Sequence, residues 1–147
     1  MKNGIVEALL SALLDTLCQT AVAATPVVGV LLQDPSTDPA IHKMRIVLDR
    51  DTVPAGKVRF RATNQSKEQV HELIVVRTKS RESKLPYDEK KAEVEEKHIQ
   101  HLGEIADLKP GASGAMALNL TPGSYLLICN QPGHYAAGMA MPLTVTK

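Results

Sequence analysis

The sequence predicts an all-β domain, a sandwich of short strands, and three observations predict it. Apolar and polar residues alternate over several short runs. Pro- and Gly-containing turns separate those runs. The material for the core is aliphatic: 44% of the 147 residues are hydrophobic and only 3% aromatic, with no Trp.

The elements follow in order. Residues 1–24 form an apolar, small-residue segment ending in Ala21-Val22-Ala23, an A-x-A pattern before Ala24 that reads as a secretory signal. Glu7 and Asp15 interrupt its apolar stretch, which argues against a permanent membrane span. An amphipathic helix with Val6, Leu9, Leu10, Leu13 and Leu17 on one stripe is the other reading. Residues 25–41, with Pro26, Pro35, Pro39, Ser36, Thr37 and two Asp, have the composition of a linker. The domain is therefore expected over 42–147.

Met44–Leu48 is a first strand, and Pro54-Ala55-Gly56 is a turn. Lys57–Thr63 alternates, with Val58, Phe60 and Ala62 on one face and Lys57, Arg59 and Arg61 on the other. Gln69–Arg77 is rich in β-branched residues and reads as a strand buried on both faces. Residues 79–101 are charged and rich in helix formers, with Pro86 near a start and Gly103 past a stop, which predicts a helical insertion on the surface. Gly114–Leu120, Ser124–Cys129 and Met141–Val145 complete the strands, the last with Met141, Leu143 and Val145 in register.

Charge and cysteine content exclude several functions. Lys plus Arg number 17 and Asp plus Glu 16, so no basic excess points to nucleic acid. Cys18 and Cys129 are the only cysteines, too few for a disulfide scaffold or a four-cysteine metal site. Cleavage after Ala23 or Ala24 would leave Cys129 alone in an exported protein, where a free thiol oxidises unless something holds it.

The chemistry is concentrated in Cys129-Asn130-Gln131-Pro132-Gly133-His134-Tyr135-Ala136-Ala137-Gly138-Met139, a C-x4-H-x4-M pattern. Thiolate, imidazole and thioether form a soft ligand set that suits copper, and one further histidine would complete a His2Cys site with a weak axial Met. Cys129 ends a strand and Met139 precedes the next. The loop must double back for its donors to meet, and Pro132, Gly133 and Gly138 permit that. Met141 is the rival thioether, but its parity with Leu143 and Val145 makes it a core residue. His98 and His101 stand i, i+3 on the expected helix without an evident third ligand, so they read as a solvated face.

The loop resembles the copper loop of cupredoxins, the blue copper proteins, with spacing nearest the rusticyanin and sulfocyanin types. Val70-His71-Glu72-Leu73-Ile74-Val75-Val76 resembles the core strand that carries the family's other histidine. Tyr125-Leu126-Leu127-Ile128-Cys129 resembles its penultimate strand. The resemblance implies a Greek-key β-sandwich and one copper ion on His71, Cys129, His134 and Met139. It implies single-electron transport between redox partners such as a cytochrome or an oxidase, with docking near His134, and no enzymatic activity. The signal-like segment implies export to a periplasmic or other extracytoplasmic space, without stable membrane insertion of the mature domain. Glu72 stands where plastocyanin and azurin have an Asn that ties the two ligand loops, so that tie is expected from Asn64 or Asn130. A glutamate beside the site also resembles the red-copper nitrosocyanin, although strand alternation turns Glu72 away from a metal on His71. Copper handling, as a chaperone or buffer, is the other functional class. Copper reductases and oxidases need H-x-H pairs, which this sequence lacks.

Overall fold

Strand periodicity closes on a core where it is strongest: Val58, Phe60 and Ala62 are fully buried, and Lys57, Arg59 and Arg61 are exposed. A computed structural model describes residues 24–147. The expected signal segment, except Ala24, lies outside the described residues, as does Cys18. The strands are β1 (Val27–Gln33), β2 (Arg45–Leu48), β3 (Thr52–Pro54), β4 (Gly56–Asn64), β5 (His71–Thr78), β6 (Tyr87–Asp88), β7 (Glu93–Val94), β8 (Gln100–Leu108), β9 (Ser113–Leu120), β10 (Gly123–Ile128) and β11 (Ala140–Thr146).

They form two main sheets, ordered β2-β1-β4-β9 and β3-β11-β10-β5-β8, with β6 and β7 as a separate hairpin. The chain changes sheet between β2 and β3, β3 and β4, β4 and β5, β8 and β9, and β9 and β10. Val28, Leu32 and Phe60 of one sheet meet Leu73, Leu127 and Leu143 of the other in one continuous core. Burying that aliphatic surface is the main force holding the sheets together. Among the described residues, no helix is long and apolar enough to cross a membrane.

Two expectations are corrected. Residues 27–33, taken as linker, are strand β1. It pairs antiparallel with β2 and parallel with β4, an interior position. Val28, Val30 and Leu32 alternate and are at most 1% exposed, while Pro26 and Pro35 stand just outside the strand, where a missing N–H breaks no ladder. The linker composition therefore belongs to the flanks alone.

The charged stretch 79–101 holds no α-helix. It forms the β6–β7 hairpin, a single 3-10 turn at Glu96–His98 and the start of β8. Leu85, Tyr87, Val94 and Ile99 pack on a second core made by Ile74, Val76, Leu126 and Ile128 on the outer face of β5 and β10. Those four positions share no helical stripe, so a helix would have left that face uncovered. Tertiary burial overrode a weak helical preference.

Candidate metal centre

The site lies at one end of the sandwich, where β5 begins and β10 ends. Asn64 shapes the approach to β5. Its side-chain amide donates to Gln69 O and Leu108 O, both at 2.8 Å, and its carbonyl accepts from Ser66 N at 2.9 Å. β10 pairs with β5 in the register Ile128↔Ile74. This sets Cys129, the residue after β10, beside the first turn of side chains on β5.

From Cys129 the chain folds back on itself. Gly133 and Gly138 take left-handed φ values of 83° and 114°. A Cβ at Gly138 would lie 2.9 Å from the Met44 carbonyl oxygen, so the loop needs glycine there for space as well as for backbone angle. Met139 N donates to His134 O at 3.0 Å and Cys129 N to Met139 O at 3.2 Å, which closes the loop.

The result is a buried cluster of three donors. His71 Nδ1 is 3.1 Å from His134 Nδ1 and 3.8 Å from Cys129 Sγ, and Cys129 Sγ is 3.3 Å from His134 Nδ1. His71 and Cys129 are fully buried, and His134 is 7% exposed. The point equidistant from all three atoms lies about 2.0 Å from each, close to the roughly 2.0–2.1 Å zinc–imidazole and about 2.3 Å zinc–thiolate bond lengths. Met139, also fully buried, belongs to the main core cluster with Cys129. Met141 is partly buried against that core, in register with Leu143 and Val145 as its parity predicts.

Electrostatics keep these donors uncharged until a cation arrives. Burial pushes the Cys129 thiol up to about 11, against hydrogen bonds from backbone N–H groups that favour the thiolate. Burial lowers the pKa of His71, opposed by the nearby Asp34. Burial and then the neighbouring His71 lower that of His134. Two neutral imidazoles and a thiol, all facing one point, are a soft donor set that fits one copper ion, and binding would release the thiol proton.

Three surrounding contacts were not legible in the spacing. Glu72 itself ties the two ligand segments: its backbone N–H donates to Cys129 Sγ at 3.4 Å, and its carboxylate accepts from Asn130 N at 2.9 Å. The tie expected from Asn64 or Asn130 is thus made in part by Asn130, through its backbone N–H, and in part by Glu72 itself. The Glu72 carboxylate is turned to Asn130, outside the cluster formed by His71, Cys129 and His134.

Asn130 spends its side chain on the hairpin instead, accepting from Val94 N at 2.6 Å and donating to Val94 O at 3.1 Å. Gly133 N donates to Ala92 O at 2.7 Å. The charged insertion therefore clamps the metal loop from outside. Asp34, just past β1, is 1% exposed and lies 3.4 Å from His71 Nε2 through Oδ2. Burial raises its pKa, but hydrogen bonds from the Ser36 and Ser66 hydroxyls and the nearby His71 outweigh that and hold it below the usual carboxylate value.

A second group, Glu96, His101 and Glu104, lies on the surface. There the two imidazole nitrogens face different carboxylates, Nδ1 at 3.2 Å from Glu96 and Nε2 at 3.7 Å from Glu104. That is a chain of imidazole–carboxylate contacts, consistent with a solvated face. His98 pairs with Glu95 at 3.3 Å.

Two sheets, a histidine opening one strand and a Cys–His–Met loop joining the last two define the class: the chain has the cupredoxin fold. No family model matches it. It is 52% identical to auracyanin-B of Chloroflexus aurantiacus over 42 residues, a stretch that spans 28% of this chain and 18% of that protein. A solved structure of auracyanin B superposes with a TM-score of 0.54 and 26% identity, covering 86% of this chain and 94% of the other. Rusticyanin from Thiobacillus ferrooxidans superposes with a TM-score of 0.61 and 16% identity, over 84% and 79% of the two chains.

Proposed function

We propose that this chain is an electron carrier that holds one copper ion on His71, Cys129, His134 and Met139. The observation that carries the reading is the convergence of His71 Nδ1, Cys129 Sγ and His134 Nδ1 on one buried point. The ion, when bound, supplies a one-electron couple between Cu(II) and Cu(I). The chain's part is to hold the donors in place. His71 and Cys129 sit on or next to paired strands, and His134 and Met139 sit on a loop closed by its own backbone hydrogen bonds. Donors that do not move between oxidation states leave little reorganisation to slow the transfer.

Burial of the donors favours a carrier over a copper buffer, because a metal held beneath the surface exchanges slowly. The engagement of Glu72 with Asn130 favours a blue site over a red one with glutamate bound. A full donor set leaves no open position for catalysis, which supports a carrier over an enzyme.

Electrons would pass at the loop around His134, where Pro132, Ala136, Ala137 and Gly138 are exposed and offer a small apolar face to a redox partner. We further propose that residues 1–24 direct export to an extracytoplasmic space and that the mature domain begins at β1.

Loading with Cu(II) tests the reading. The expected result is an intense visible thiolate-to-copper band, lost in Cys129→Ala. A colourless protein that takes only Cu(I) would favour copper handling, and a higher-energy thiolate band without the blue one would favour a red site.

A further inference from the structure

Among the described residues Asp34 is the one fully buried carboxylate, and its two oxygens have different surroundings. Oδ1 accepts from Ser36 N at 2.8 Å and Ser36 Oγ at 2.6 Å. Ser36 Oγ in turn meets Ser66 Oγ at 3.1 Å, on the loop that leads into β5. The backbone closes the same turn, with Thr37 N donating to Asp34 O at 3.0 Å. Oδ1 thus organises the chain after β1.

Oδ2 takes no part in that turn. It is buried without a hydrogen-bond partner and faces His71 Nε2 at 3.4 Å, and that nitrogen is buried without a partner as well. The opposite ring nitrogen, Nδ1, is the one directed at Cys129 and His134. A neutral imidazole carries one proton, and the nitrogen that carries it cannot donate a lone pair.

We propose that Asp34 is the positioning residue of His71: its Oδ2 accepts the Nε2–H, fixes the tautomer in which Nδ1 is free to bind metal, and sets a buried negative charge beside the site. The proposal rests on the copper reading for its redox consequence but not for its effect on the imidazole. Metal-binding histidines commonly donate their far N–H to a carboxylate or carbonyl, which fixes ring and tautomer together. A carboxylate adds a full charge, which stabilises Cu(II) over Cu(I) and lowers the reduction potential.

Asp34→Asn separates the two roles. The amide oxygen can keep the Ser36 contacts and the turn, while the amide nitrogen then presents a donor to Nε2. Facing a donor, Nε2 becomes the acceptor and the ring proton moves to Nδ1, the wrong tautomer for ligation. Nitrogen-15 spectra of the metal-free protein read this directly. The expected result is Nε2–H for His71 in the wild type and a shift toward Nδ1–H in Asp34→Asn. Ser36→Ala, which loosens the turn alone, should leave the tautomer as it was.

In the copper-loaded protein, outer-shell losses typically weaken binding by about 10- to 100-fold. A tenfold loss confined to Cu(II) raises the potential by about 59 mV for one electron. Nδ1–H in the wild type would overturn the proposal, as would an unchanged tautomer and potential in a folded Asp34→Asn variant. If that variant does not fold, the wild-type tautomer decides. A wild type without the thiolate band would defeat the copper reading and leave the tautomer measurement standing.

Discussion

Cys129, His71 and His134 present the chain with a problem in acid and in alkali. Burial lowers the pKa of both imidazoles, so as pH falls through about 6.5 the unfolded chain takes up protons first. The metal-free protein should then lose stability steadily toward acid. At the other end, the thiol is raised from 9.0 to about 11, so the unfolded chain ionises first and stability should fall across that interval. Urea midpoints of the metal-free protein across this range are expected to trace a plateau with two shoulders. A midpoint that stays flat into acid would mean that the imidazoles are not buried as described. These residues were the most legible part of the sequence, because C-x4-H-x4-M joins three unlike donors at fixed spacing. Asp34 was not legible: its partner is 37 positions away, and a carboxylate in an Asp-Pro-Ser-Thr stretch reads as an ordinary turn.

At the scale of elements, β1 and the 79–101 insertion show where local patterning stops being informative. β1 carries a clear alternation, yet three prolines in the surrounding stretch outweigh it when composition is averaged over a window. If β1 is integral, Leu32→Ala, which empties a fully buried position in the main core, should cost about 2–5 kcal/mol by urea unfolding. A linker residue would cost close to nothing. In the insertion, helix formers and charge suggested an independent surface helix. The actual constraint lies elsewhere in the chain, in the apolar outer face of β5 and β10 that needs a cover and in the Asn130 amide that binds Val94. Strands β4, β5, β9, β10 and β11 were legible because each one carries its own period or apolar run. The cover was not, since its pattern is set by what it lies against.

The whole molecule has a working end and a plain end. The apolar loop at the working end predicts the effect of a surface change: Ala137→Asp puts a charge on an exposed position of that loop while leaving all four donors in place. Electron self-exchange between oxidised and reduced copies, followed by NMR line broadening, should slow by on the order of tenfold, with an unaltered visible spectrum. An unchanged rate would mean that electrons leave by another face. Strand direction fixes the rest of this polarity. β1 runs toward the donors and finishes beside Asp34, while β11 starts next to Met139 and runs away, ending opposite Pro54. Both ends of the described chain therefore emerge roughly 20 Å from the donors, one strand length away. A purification handle, a fused protein or a tether to a solid support joined after β11 should leave the proposed electron-exchange face unshaded.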